Sequence, residues 1–168
     1  MKIGLLSDTH SFFPEEIYTY FDKCDEIWHA GDIGSMEVVE KMRAFKPFRA
    51  VWGNIDGQEI RKEFPLNLHF EVEGMKIWMT HIGGYPGKYS PRIKNQLEIN
   101  APQLFICGHS HILKVIQDKQ LNLLHLNPGA AGIEGFHQIR TLMRFEINEG
   151  KLNHLEVIEL GPRANVKK

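Results

Sequence analysis

Cysteine is scarce in this 168-residue chain, with only Cys24 and Cys107. Neither belongs to a C-x-x-C pair, which excludes a disulfide framework and a thiolate metal knot as organising principles. Cys107 lies inside an apolar run, where a buried, unreactive thiol is expected, and so few cysteines fit a reduced setting. Basic charge is not in excess either: 20 Lys and Arg against 21 Asp and Glu leave a formal net charge of −1. Broad nucleic-acid or membrane-surface binding finds no support there. Apolar runs long enough to span a bilayer are absent, and the opening residues turn polar too soon for a secretory signal. The expectation is a cytoplasmic protein with no membrane partner. No Ser/Gly linker, low-complexity tract or internal repeat interrupts it, so a single domain over residues 1–168 is expected, with 161–168 as a solvated tail.

What the chain does have is a regular alternation. Apolar runs at residues 2–7, 26–30 and 48–53 read as strands. Amphipathic stretches at 14–22 and 35–45 read as helices between them, with Pro14 starting the first and Ser35 as N-cap of the second. Strand, helix, strand, helix, strand predicts parallel pairing with right-handed crossovers. From residue 68 the pattern changes to hairpins: 68–81 folded at Glu73-Gly74, 113–118 with 121–126, and 141–147 with 151–160 around Asn148-Glu149-Gly150. A helix at about 90–99 and a strand at 104–107 lie between them. About ten strands exceed one small sheet, so the expected α/β fold has two mixed sheets packed face to face with helices outside.

The polar residues collect where strands end. Asp8-Thr9-His10 follows the first strand, Gly31-Asp32 the second, and Gly53-Asn54-Ile55-Asp56 the third; His81 and Gly108-His109-Ser110-His111 follow two later ones. In an open α/β sheet, ligands bind beyond the carboxyl ends of the strands, so these five loops are expected to meet on one rim. Glycine introduces three of them, as suits a backbone turning sharply beside a crowded site. Two Asp, one Asn and four His without Cys form a nitrogen/oxygen set for borderline and harder divalent ions. Seven side chains exceed the needs of one tetrahedral ion and suit two ions about 3.5–4 Å apart sharing a carboxylate. Asp32, alone in its loop, is the expected bridge. Asp8, His10 and His111 would close on one ion, and Asn54, His81 and His109 on the other. Mn²⁺ is expected first, with Ni²⁺, Fe²⁺, Co²⁺ or Zn²⁺ as alternatives. Asp56 stays outside the ligand set, as a supporting or structural residue.

Two divalent cations and two aspartates leave such a site net positive, so it draws in a phosphate group and lowers the pKa of a bridging water. The predicted chemistry is hydrolytic phosphoryl transfer. The ordered set D-x-H, G-D, G-N-x-D, H and G-H-x-H, spanning Asp8 to His111, resembles the calcineurin-like metallophosphoesterases, and its compactness resembles their small single-domain phosphodiesterases. The resemblance implies a four-layer αββα sandwich and a dinuclear hydrolase centre, with Asn54 and His109 at the reaction and a metal-bridging hydroxide as nucleophile. Asn127-Pro128-Gly129 resembles a structural turn of this subgroup, with Ala130 where serine is usual. Two further departures bear on substrate: Ile55 stands where larger members carry a phosphate-contacting histidine, and Ile82 follows His81 where relatives often continue Gly-His. Family members that became scaffolds, such as the small retromer subunit, have lost ligands that this chain keeps.

The expected function is therefore a phosphodiesterase acting on a small or nucleotide-derived diester. A non-catalytic metal-binding scaffold of the same fold and a phosphomonoesterase are the alternatives. Lys88 and Arg92, in a Gly/Pro-rich loop, are the candidate substrate contacts. His29 is expected to be structural, since strand alternation aims it away from Asp32. His69, His125, His137 and His154 have no such context and read as surface or core residues; the three tryptophans read as core. Self-association into a homo-oligomer stays open.

Overall fold

Alternation along the first strand, β1 (Lys2–Leu6), decides the layering. Ile3 and Leu5 are buried on one face and Leu6 on the other. A strand apolar on both sides needs a layer over each. In the computed structural model, which describes residues 1–165, Ile3 and Leu5 meet a second sheet while Leu6 meets helices.

The first sheet is mixed. β1 pairs in parallel with β2 (Glu26–His29), which pairs in parallel with β3 (Phe48–Ala50). On its other side β1 pairs antiparallel with β9 (Ile139–Asn148), and β9 with β10 (Lys151–Pro162). The second sheet has the order β4 (Asn67–Val72), β5 (Met75–Thr80), β6 (Leu104–Ile106), β8 (Leu123–Asn127), β7 (Lys114–Asp118). Its β5, β6 and β8 run parallel, and its edges are antiparallel hairpin partners.

Between the sheets, Ile3, Leu5 and Trp28 pack with Ile77, Met79, Leu104 and Ile106. Outside the first sheet lie α1 (Ile17–Tyr20), α2 (Met36–Phe45) and α3 (Gln58–Glu63), whose Ile17, Val39, Met42 and Ile60 cover Leu6, Ile27 and Ala50. Outside the second, α4 (Pro91–Ile99) sets Ile93 and Leu97 on Trp78 and Phe105. Each fully buried aliphatic side chain contributes about 1.5–3 kcal/mol. The result is the expected αββα sandwich.

Four details differ from the sequence pattern. The helix expected at 14–22 shrinks to Ile17–Tyr20, because Pro14, Glu15 and Glu16 enter through tight i→i+3 turns. There the Glu16 carboxylate turns to the buried Arg140 guanidinium, at 3.0 and 3.1 Å. The strand expected to reach residue 53 stops at Ala50, since the Trp52 N–H turns away to the Pro65 carbonyl. α3 has no counterpart in the sequence pattern: six residues with Ile60 alone buried are too few to show a period. Finally, β10 runs through Gly161 and Pro162, and a 3₁₀ turn follows at Arg163–Asn165, where the sequence suggests a tail; residues 166–168 of that tail lie outside the described residues. The Glu-Gly hairpins are as expected, with Glu73 and Gly74 both left-handed. Among the described residues, no helix is long and apolar enough to cross a membrane.

Candidate metal centre

The loops after β1, β2, β5 and β6 bring six side chains together in two groups. Asp8, His10 and His111 form one; Asp32, His81 and His109 form the other. Within each, the ligand-type atoms all lie within 4.8 Å of one another. Both carboxylates reach across. Asp32 Oδ2 is 3.2 Å from His81 Nε2 and 3.6 Å from His10 Nε2. Asp8 Oδ1 is 3.1 Å from His111 Nε2, 3.9 Å from His81 Nε2 and 4.0 Å from His10 Nε2. Asn54, in the loop after β3, joins the second group with its Oδ1 3.2 Å from His81 Nε2. The remaining carboxylate oxygens are held by backbone: the His109 N–H donates to Asp8 Oδ2 and the Ile55 N–H to Asp32 Oδ1.

These groups face one another as acceptors. His81 donates Nδ1–H to the Ala30 carbonyl at 2.8 Å, which leaves the lone pair of neutral Nε2 pointing at Asp32 and Asn54 oxygens. Asp8 Oδ1 and His10 Nε2 are buried with no hydrogen-bond partner. Buried acceptors converging in this way are costly unless a cation lies among them. Separations near 3 Å are also those of neighbouring ligands held at about 2.0–2.2 Å by one ion. The donor set therefore fits divalent cations. In the metal-free protein a proton takes part of that role. Burial works against a charged His81, but its hydrogen bond to Asp32 and the Asp8 and Asp32 carboxylates outweigh it and raise its pKa. The same contacts hold Asp32 low against its own burial.

The backbone is also unusual. Asp8, His10, Asp32, His109 and His111, five of the six clustered residues, have φ between 48° and 68°. A left-handed non-glycine residue costs roughly 1–2 kcal/mol, and strain so concentrated points to function. Crossing hydrogen bonds hold it in place: Asp8 N–H to Gly31 O at 3.0 Å and His10 N–H to Asp32 O at 3.0 Å. Gly53 has no side chain for a direct reason, since a Cβ there would overlap Asp32 Oδ1.

A second ring of buried polar residues ties the loops together. Asp56 accepts from the Gly34 and Gly53 N–H groups, each at 2.7 Å, and so joins the loops after β2 and β3. Asn127 donates to the Gly108 carbonyl at 2.8 Å and Ser110 Oγ at 3.2 Å, and accepts from Gly129 N–H. His29 accepts from the Gly31 N–H at Nδ1, so its Nε2–H donates to Thr9 Oγ1, whose hydroxyl donates to Ile33 O. Burial pushes the His29 pKa down from 6.5 to about 3. Its folded-state value lies below the unfolded one, so the associated stability is whole above pH 6.5 and is lost as pH falls toward about 3. Between about pH 6.5 and 5, the metal-free wild type should lose about 2 kcal/mol more than His29→Gln, which keeps a donor toward Thr9. Urea unfolding at the two pH values checks this; equal losses would refute it.

Arg92 lines a groove of about 240 Å³ with Trp52, Asn54, His81, Ile82 and Ile93. Lys88 is not among the lining residues. Trp28 and Trp78 are core, while Trp52 is only partly buried and carries the Arg61 guanidinium 4.4 Å from its ring centroid. One residue near the centre is not marked by the sequence. His137, which reads there as surface or core, sets its Nδ1 3.2 Å from His111 Nδ1. No strand, glycine motif or periodicity singles it out.

Residues 1–150 match the family model of the calcineurin-like phosphoesterase superfamily domain. Over 138 residues the chain is 32% identical to a probable metallophosphoesterase of Methanothermobacter thermautotrophicus, covering 77% of each. It is 25% identical over 148 residues to a phosphodiesterase of Methanocaldococcus jannaschii, covering 77% of this chain and 83% of that one. Among solved structures, Vps29 of Entamoeba histolytica complexed with Zn²⁺ shares the fold, with a TM-score of 0.71 at 17% identity over 95% of this chain and 98% of that one.

Proposed function

The chain belongs to the calcineurin-like phosphoesterase superfamily, and from that premise we propose that it is a cytoplasmic, dinuclear phosphodiesterase using Mn²⁺. The observation that carries this reading is the pair of carboxylates whose single oxygens face both histidine groups, Asp8 Oδ1 among them buried without a hydrogen-bond partner. Asp8, His10 and His111 would hold one ion and Asn54, His81 and His109 the other, with Asp32 placed to serve both. Bound there, the ions supply positive charge for the phosphoryl group and a nucleophilic water at neutral pH. The chain supplies the rest. Backbone N–H groups fix the outer oxygens of both aspartates, so each carboxylate keeps its aim without reorganising. His109 is the exposed member of the six, so it is the one that a phosphate ester coming from solvent would meet first. Ile55, exposed beside Asn54, offers no proton to a leaving group, so esters of acidic alcohols and phenols should react fastest.

The diester preference rests on the groove beside Asn54 and His81. A diester carries a second organic group, and Trp52, Ile82 and Ile93 give that group apolar walls with Arg92 among them. The phosphodiesterase name of the Methanocaldococcus relative agrees. The test is hydrolysis of bis-p-nitrophenyl phosphate by metal-stripped protein with Mn²⁺ added back, beside p-nitrophenyl phosphate. Metal-dependent turnover, faster for the diester, is expected. Arg92→Ala should raise KM for the diester roughly fivefold, about 1 kcal/mol, and leave kcat unchanged. Metal binding without turnover under any divalent ion would move the reading to a binding module of the same fold.

A further inference from the structure

His137 lies in a stretch without regular structure, residues 132–138, that leads from the Asn127 turn into β9. Both of its ring nitrogens are engaged. Nε2 is 3.0 Å from the Gly132 carbonyl oxygen, and Nδ1 is 3.2 Å from His111 Nδ1. A carbonyl can only accept, so His137 Nε2 carries the hydrogen. A neutral imidazole carries one, so His137 Nδ1 is a bare acceptor and His111 Nδ1–H is its donor. With the ring hydrogen of His111 on Nδ1, its lone pair is on Nε2, the atom 3.1 Å from Asp8 Oδ1. One carbonyl, through two rings, thus decides whether Nε2, the His111 nitrogen that faces the metal centre, has its lone pair free.

We infer that His137 is a positioning residue for His111, holding it in the Nδ1–H tautomer that leaves Nε2 free to bind an ion. The inference rests on the metal-centre reading above. A ligating histidine whose outer N–H is held by a partner keeps both its tautomer and its aim, and losing such a partner typically costs 10–100-fold in metal affinity.

The surrounding chain is built for this contact. Gly135 has φ +113° and packs directly on His111, where a Cβ would overlap the Nδ1 atom. Arg163, just past β10, clasps the stretch from outside: its Nε donates to the His137 carbonyl at 3.0 Å and its Nη1 to the Ile133 carbonyl at 3.2 Å. Arg163 touches no clustered residue in these bonds, so it acts on His111 through the stretch that carries His137 and Gly135.

Two measurements test the inference. Nitrogen-15 histidine spectra of the metal-free wild type should show His111 protonated at Nδ1, and His137→Leu should move it toward the Nε2–H form. Calorimetric titration with Mn²⁺ should find two ions in the wild type. His137→Leu should weaken one ion roughly 10–100-fold and leave the other within about twofold. His137→Asn, whose amide oxygen can occupy the place of Nδ1, should restore most of the loss. Arg163→Ala should weaken the same ion, by less. An Nε2–H tautomer of His111 in the wild type overturns the inference whatever the variants do, as does unchanged affinity in a folded His137→Leu. If the wild type takes up no ion, the metallophosphoesterase reading falls, and the spectra still decide the His111–His137 bond.

Discussion

Asp32→Ala is expected to bind neither ion and to lose roughly 10³-fold or more in the rate of diester hydrolysis, which corresponds to about 4 kcal/mol of transition-state charge stabilisation. The reason is geometric. Asp32 Oδ2 is the oxygen within 3.6 Å of both His10 and His81, one histidine from each group. Its removal strips a ligand from both sides and leaves His81 Nε2 with Asn54 Oδ1 at 3.2 Å and only the more distant Asp8 Oδ1 at 3.9 Å. His109→Ala makes the contrast, because His109 belongs to one group and is exposed. That variant should retain one ion per chain and fall roughly 10²-fold. Metal content after dialysis, measured beside the rate, separates the two. An Asp32→Ala protein that keeps two ions would remove Asp32 from the bridging role.

Metal addition should also raise the melting temperature by an unusually large step. With each site filled at 100 times its Kd, two ions contribute about 5 kcal/mol. At about 2–4 °C per kcal/mol for a chain of this length, the rise is roughly 10–20 °C. The metal-free centre has room to gain, since Asp8 Oδ1 and His10 Nε2 are buried in it without hydrogen-bond partners. The step should depend on pH with a definite sign. The His81 pKa is raised above its ordinary 6.5 in the metal-free protein. Its contribution to metal-free stability is therefore whole below pH 6.5 and is lost as pH rises through the raised value. An ion must displace that proton, so metal binding strengthens over the same range. Both effects widen the gap between loaded and stripped protein as pH increases. Melting curves with and without Mn²⁺ across that range check it, and a gap that narrows toward high pH would contradict the proton-for-metal exchange.

Much of the centre is legible in the order of residues alone. Apolar runs punctuated by Asp8, Asp32, Asn54, His81 and His109 place these residues at strand ends, because a strand buried on both faces cannot carry them in its interior. The Glu73-Gly74 turn declares its hairpin because left-handed φ at two successive positions is a local demand. Asp56 is ambiguous at that level. Turn former and loop tie look alike in G-N-I-D, and only the 2.7 Å bonds from Gly34 and Gly53 separate them.

The amino-acid sequence specifies what its local patterns can carry: two mixed sheets with helices outside, the strand ends that bear nitrogen and oxygen ligands, and a donor set without thiolates. Tertiary structure alone decides the contacts between distant segments. The Trp52 N–H finds Pro65 rather than a sheet neighbour, His137 finds His111 across 26 residues, and Arg163 reaches back to hold both ends of the His137 stretch. Periodicity and turn chemistry describe a residue and its near neighbours. Which far segment a side chain meets is set by how the two sheets and their covering layers pack.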